Sequence, residues 1–103
     1  MSKRNSTYKI IISSDFEIDF AKSVEYYSLI NSDLARKFIR EIKSTYKYLV
    51  KHPEKIQIRY DTIRIAFLKN FPYGIHFSFD ENEIFIYALF HMKQNSDSWN
   101  NIQ

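Results

Sequence analysis

Several residue types that build specialised sites are missing or rare in this chain. Of its 103 residues none is cysteine, one is glycine and two are proline. Without cysteine there can be no disulfide, thiol nucleophile or thiolate metal ligand. A single glycine leaves no glycine-rich phosphate loop and no serine nucleophile elbow. So few breakers predict long regular elements joined by short turns.

Long apolar runs are also absent. The run Ile10–Ile12 is too short for a signal peptide or a membrane span. The histidines His52, His76 and His91 show no metal-ligand spacing. We therefore expect a cytoplasmic protein with no membrane contact, no cofactor and no metal.

The chain is instead rich in the apolar and aromatic residues that form a hydrophobic core. Hydrophobic residues make up 45% of it, and eight tyrosines and nine phenylalanines bring the aromatic share to 17%. Each ring can bury about 150–250 Å². The length predicts one domain over residues 1–103, with residues 1–6 and about 100–103 flexible.

Hydrophobic periodicity predicts an α+β fold of order β-α-α-β-β-β, with a helical hairpin on one face of a small, mainly antiparallel sheet. A capping box over Ser14–Glu17 should begin the first helix. We expect the first strand to be buried on both faces and the last strand to lie centrally. The elements are strand Tyr8–Ser13, helices at about 15–29 and 33–51, a short alternating piece Ile56–Tyr60, and strands Ile63–Leu68, Tyr73–Phe79 and Glu83–His91.

The last predicted strand is apolar on both faces. Strict alternation places Phe85, Tyr87 and Leu89 on the side away from the helices. Because no predicted element covers that side, we expect these three residues to form a surface for a partner chain.

Charge is concentrated in the middle of the chain. The net charge is +3, but residues 36–69 hold ten basic and three acidic side chains. Arg40, Lys43 and Lys47 follow one another at helical spacing on the back of the second helix. They predict a face for nucleic acid or an acidic protein. The alternative is the solvated back of an amphipathic helix.

One set of residues could support catalysis. By alternation, Arg64, His76 and His91 point from three strands to the open face of the sheet. Cleavage of RNA by 2′-hydroxyl attack needs an acid, a base and a cation near the phosphate. Tyr87 or Lys93 would lie nearby. Alternatively, His76 is a half-exposed strand residue and His91 makes a structural hydrogen bond.

The chain resembles the RelE/ParE superfamily of toxins from type II toxin–antitoxin modules. The resemblance covers about residues 8–99 and depends on the order of elements, Arg64, the run Asn70–Phe77, the last strand ending in His91, and Trp99. It implies a bacterial toxin held in a heteromeric complex by a cognate antitoxin.

Members of that superfamily have one of two activities. RelE-like members cut messenger RNA on the ribosome, whereas ParE-like members poison DNA gyrase. The resemblance matches Arg64 and His91 to family positions, but Met92–Gln94 replaces the paired arginines that often follow, and Trp99 does not match the terminal catalytic aromatic. We therefore predict a ParE-like binder. The alternatives are a RelE-like nuclease and a decayed relative that only binds its antitoxin.

Overall fold

The computed structural model describes residues 8–92. The predictions made for residues 1–6 and 100–103, for Lys93 and for Trp99 lie outside the described residues. The elements are β1 (Lys9–Ile12), α1 (Ser14–Ile30), α2 (Ser32–Lys51), a 3₁₀ turn (Pro53–Lys55), β2 (Ile58–Tyr60), β3 (Ile63–Phe67), β4 (Tyr73–Phe79) and β5 (Glu83–His91). Within residues 8–92, no helix is both long and apolar enough to cross a membrane.

Side-chain caps fix where both helices begin. The Ser13 hydroxyl accepts a hydrogen bond from the Phe16 amide at 3.0 Å, so α1 starts one residue earlier than predicted. The predicted capping box from Ser14 to Glu17 is therefore wrong. Asn31 Oδ1 accepts from the amides of Asp33 and Leu34 at the start of α2, which confirms the short break between the helices.

The sheet has the strand order β1-β5-β4-β3-β2. β1 runs parallel to β5, and the other pairs are antiparallel. The predicted β-α-α-β-β-β order is confirmed, with β2 as an added short edge strand. β5 is interior, beside the middle strand β4. β1 is an edge strand on which Ile11 and Ile12 are exposed, so its predicted burial on both faces is wrong.

Aromatic rings fill the space between the helices and the sheet. Phe38 of α2 lies within 5.0–5.2 Å, between ring centroids, of Tyr27, Phe71 and Tyr73. Alternation along β4 places Tyr73, Ile75 and Phe77 beneath the helices, as predicted. Burial raises the pKa of Tyr27 to about 12, in keeping with its place among these rings.

An extra residue in β5 reverses the expected alternation. His76 pairs with Ala88 and Phe77 with Ile86, which leaves Tyr87 as a bulge. Beyond the bulge each side chain changes face. Leu89 is only 3% exposed and belongs to the core. Its predicted place on the open face with Phe85 and Tyr87 is wrong.

Candidate functional site

A groove of about 650 Å³ runs between α2 and the β3–β4 turn. We call it the α2 groove. Leu34 and Phe71 supply its apolar surface, while exposed cations of α2 line it: Lys37, Arg40, Lys43 and Lys47. The predicted basic residues Arg40, Lys43 and Lys47 thus lie together beside apolar surface, a combination that suits an acidic amphipathic segment.

Glu41 fixes the shape of the α2 groove. Its two carboxylate oxygens accept hydrogen bonds from the backbone amide and the side-chain amide of Asn70, each at 2.7 Å. The turn is thereby tied to α2. Sequence reasoning had not singled out Glu41, because twenty-nine residues separate it from Asn70.

Arg64 lies on the helix side of the sheet, not on the open face. It shares its face of β3 with Ala66 and Leu68, both core residues. Its guanidinium donates to the Ile56 carbonyl at 2.6 Å and stacks over the Phe79 ring at 4.8 Å. These contacts tie the segment after α2 to the sheet.

His76 does lie on the face away from the helices, as predicted, but it is buried rather than half-exposed. It is 1% exposed, and its Nδ1 is 2.9 Å from the Tyr60 hydroxyl. Phe90 packs edge-on against its ring at 4.7 Å. Burial lowers the pKa of His76 to about 4, because an imidazolium is poorly solvated there. A neutral ring is the stable form at pH 7.

His91 lines a cleft of about 310 Å³ between α1 and β5. Because it follows the bulge, it faces α1 and packs on Tyr73 at 5.0 Å. Asp19 and Lys22 line the same cleft. Burial raises the pKa of Asp19, although a hydrogen bond from the Leu89 amide acts in the opposite direction. The sequence pattern did not point to Asp19, because its neighbours Leu89 and His91 face α1 only as a result of the bulge in β5.

The sheet does not bring Arg64, His76 and His91 to one face. His76 is on the side opposite the other two. Arg64 pairs with Phe77 and His91 with Tyr73, so their backbones are roughly 16 Å apart by strand geometry. The prediction that all three share the open face is wrong. Among residues 8–92, no three His, Asp or Glu side chains lie close enough to hold a metal ion.

Two further apolar surfaces are accessible. On the open face the rings of Phe85 and Tyr87 stack at 6.5 Å, and the Tyr87 hydroxyl lies 2.8 Å from that of Ser78. The outer side of α1 exposes Ile18 and Leu29, the latter at 82%. Apolar residues on both sides of one helix are typical of a helix that packs on two surfaces.

Comparisons with known proteins agree with this architecture. A family model described as "ParE toxin of type II toxin-antitoxin system, parDE" matches residues 10–96. A chain of a solved structure, "Chromosomal ParDE TA system from P. aeruginosa", has a TM-score of 0.71 at 18% sequence identity. The match covers 84% of this chain and 98% of that chain, and it shows a shared fold. No curated protein matches the chain.

Proposed function

Because this chain belongs to the ParE toxin family of type II toxin–antitoxin systems, we propose that it arrests growth by binding DNA gyrase and that a cognate antitoxin neutralises it. The toxin would then act in the cytoplasm, where gyrase works. One observation supports action by binding rather than by catalysis: Arg64, His76 and His91 are separated in the structure. To cleave RNA, a base at the 2′-hydroxyl, an acid at the leaving 5′-oxygen and a cation at the phosphate must all reach the same phosphodiester.

The antitoxin would dock an acidic, amphipathic segment in the α2 groove. Leu34 and Phe71 offer apolar contact, while Arg40, Lys43 and Lys47 offer charge. We still predict that Phe85 and Tyr87, on the open face of the sheet, contact a partner chain. Leu89 is excluded from this set because it faces α1.

A DNA supercoiling assay with purified gyrase tests the proposal. The full chain should inhibit supercoiling or trap cleaved DNA, and the cognate antitoxin should restore gyrase activity. Gyrase that works normally at a large excess of toxin would contradict the proposal. A chain that binds the antitoxin but never arrests growth would indicate a decayed relative.

A RelE-like ribonuclease is the second candidate, and one observation favours it. The α1–β5 cleft places an imidazole, His91, with a carboxyl group, Asp19, whose pKa is raised. Such a pair can exchange protons, and Lys22 could bind phosphate. Messenger RNA cleaved on programmed ribosomes by the wild type but not by His91→Gln would support this alternative.

A further inference from the structure

A second groove lies on the other side of Glu41 from the α2 groove. We call it the β2 groove; it has a volume of about 610 Å³. Its cations are Lys55, Arg59 and Lys69, and its exposed aromatic ring is Tyr48. Glu41 and Ser44 of α2 line both grooves. The other lining residues of the β2 groove come from α2, from the 3₁₀ turn and the segment after it, from β2 and β3, and from the β3–β4 turn.

The charges that line this groove favour the binding of an anion. The carboxylate that lines it is that of Glu41, and both of its oxygens accept hydrogen bonds from Asn70. Within residues 8–92 the ion pair present is Arg36 with Asp33, so Lys55, Arg59 and Lys69 have no carboxylate partner. With the four cations of the α2 groove, they form a belt of seven positive charges around Glu41. A polyanion would relieve their mutual repulsion.

The accessible apolar surface of the β2 groove comes from two aromatic rings, Tyr48 and Phe67, and from the half-buried Ile56. Ile65 and Ala66 line it but are 2% and 5% exposed, so they offer a ligand little contact. Tyr48, in contrast, is 48% exposed. Phe67 lies beneath the Arg59 guanidinium, which is 5.0 Å from the ring centroid. Flat rings interleaved with cations suit stacked bases and their phosphates better than the aliphatic anchors of an acidic peptide.

We propose that the β2 groove binds single-stranded nucleic acid, with Tyr48 stacked on a base and with Lys55, Arg59 and Lys69 holding the flanking phosphates. The proposal does not depend on the identity of the toxin's target. DNA and RNA strands present the same phosphates and bases, so the experiment must distinguish them.

Fluorescence anisotropy of labelled dT12 and rU12, titrated with the full chain over a range of NaCl concentrations, tests this site. Both strands should bind, and the strand that binds more tightly indicates whether the natural ligand is DNA or RNA. Lys55→Gln combined with Lys69→Gln should reduce the slope of log K against log salt by about 1.4, since each phosphate contact contributes about 0.7. The matched control, Lys9→Gln with Lys51→Gln, removes the same charge at exposed positions outside both grooves and outside the α1–β5 cleft, and should keep the wild-type slope.

Tyr48 supplies the test of stacking. Tyr48→Ala should weaken binding about 5- to 150-fold, the range of one base–aromatic stack, while Tyr48→Phe should stay within about twofold. Circular dichroism checks that both variants are folded. Equal salt slopes for the groove and control variants would overturn the proposal. A poly-glutamate peptide that displaces dT12 while Tyr48→Ala has no effect would also overturn it, in favour of an acidic protein.

Discussion

The carboxylate of Glu41 holds Asn70 by two hydrogen bonds, one to its backbone amide and one to its side chain. This contact joins the middle of α2 to the β3–β4 turn, where Phe71 packs against Phe38. It therefore sets the position of the turn and separates the two basic grooves.

Glu41→Gln should weaken this connection. A neutral amide can replace one acceptor but presents an NH₂ group where the second acceptor was. We expect the free energy of unfolding to fall by about 1 kcal/mol, a value reduced for partial solvent exposure. Urea denaturation measures it. Glu25→Gln, at an exposed position on α1, is the control and should change stability little. Equal losses in the two variants would show that the Asn70 contact contributes nothing.

Gly74 should not tolerate a side chain. A Cβ at this position would lie 2.5 Å from Cγ2 of Ile65 and 3.2 Å from Cδ1 of Phe67. We expect Gly74→Ala to cost about 1–3 kcal/mol by overpacking. Adding Ile65→Ala should make the double variant more stable than the sum of the two losses predicts. Thermal melts of the four proteins check this, and strict additivity would contradict the steric cause.

His76 should make stability depend on pH. Its pKa is near 4 when folded, below the usual 6.5, so the unfolded chain binds more protons between these values. Stability should therefore fall as pH decreases from about 6.5 to about 4, by up to about 3 kcal/mol. The difference between wild type and His76→Gln isolates this effect, because the opposing contribution from Asp19 is common to both. Parallel profiles for the two proteins would contradict burial as the cause.

The α2 groove should bind the antitoxin through charge. Arg40→Gln, Lys43→Gln and Lys47→Gln together should raise the Kd about 3- to 150-fold and flatten its salt dependence, at about 0.2–1 kcal/mol per pair. The fold should survive because these side chains are exposed. Titration calorimetry measures the change. As a control, Lys9→Gln, Lys22→Gln and Lys51→Gln together remove the same charge away from the groove. If that variant weakens antitoxin binding equally, the basic side chains of α2 do not contact the antitoxin and are only the solvated back of an amphipathic helix.

Periodicity predicted the helices and the longer strands well because apolar residues recur along them at helical or alternating spacing. Within α2, for example, Phe38, Ile42 and Leu49 recur at helical spacing and are all buried. The arrangement of the candidate site depends on two structural features that the periodicity of apolar residues does not reveal. One is the bulge at Tyr87, which turns Leu89 and His91 towards α1. The other is which face of β3 meets the helices: Ile65 and Ala66 are both apolar, so the pattern could not place Arg64.

The role of Arg64 changes the experiment that separates a nuclease from a gyrase poison. Arg64→Gln would remove the donor to the Ile56 carbonyl and the stack on Phe79. It should therefore destabilise the fold whatever the activity is. Loss of toxicity in that variant cannot identify a catalytic residue.

His91→Gln and Asp19→Asn are the informative pair. A ribonuclease that uses the α1–β5 cleft transfers a proton there, so each change should reduce cleavage about 10²–10⁴-fold and abolish growth arrest. A gyrase poison transfers no proton. We expect His91→Gln to keep most of its toxicity, with intact messenger RNA and DNA damage signalling in arrested cells. Antitoxin binding by the variant serves as the control for folding. Cleavage in register with codons that disappears in His91→Gln would establish the nuclease instead.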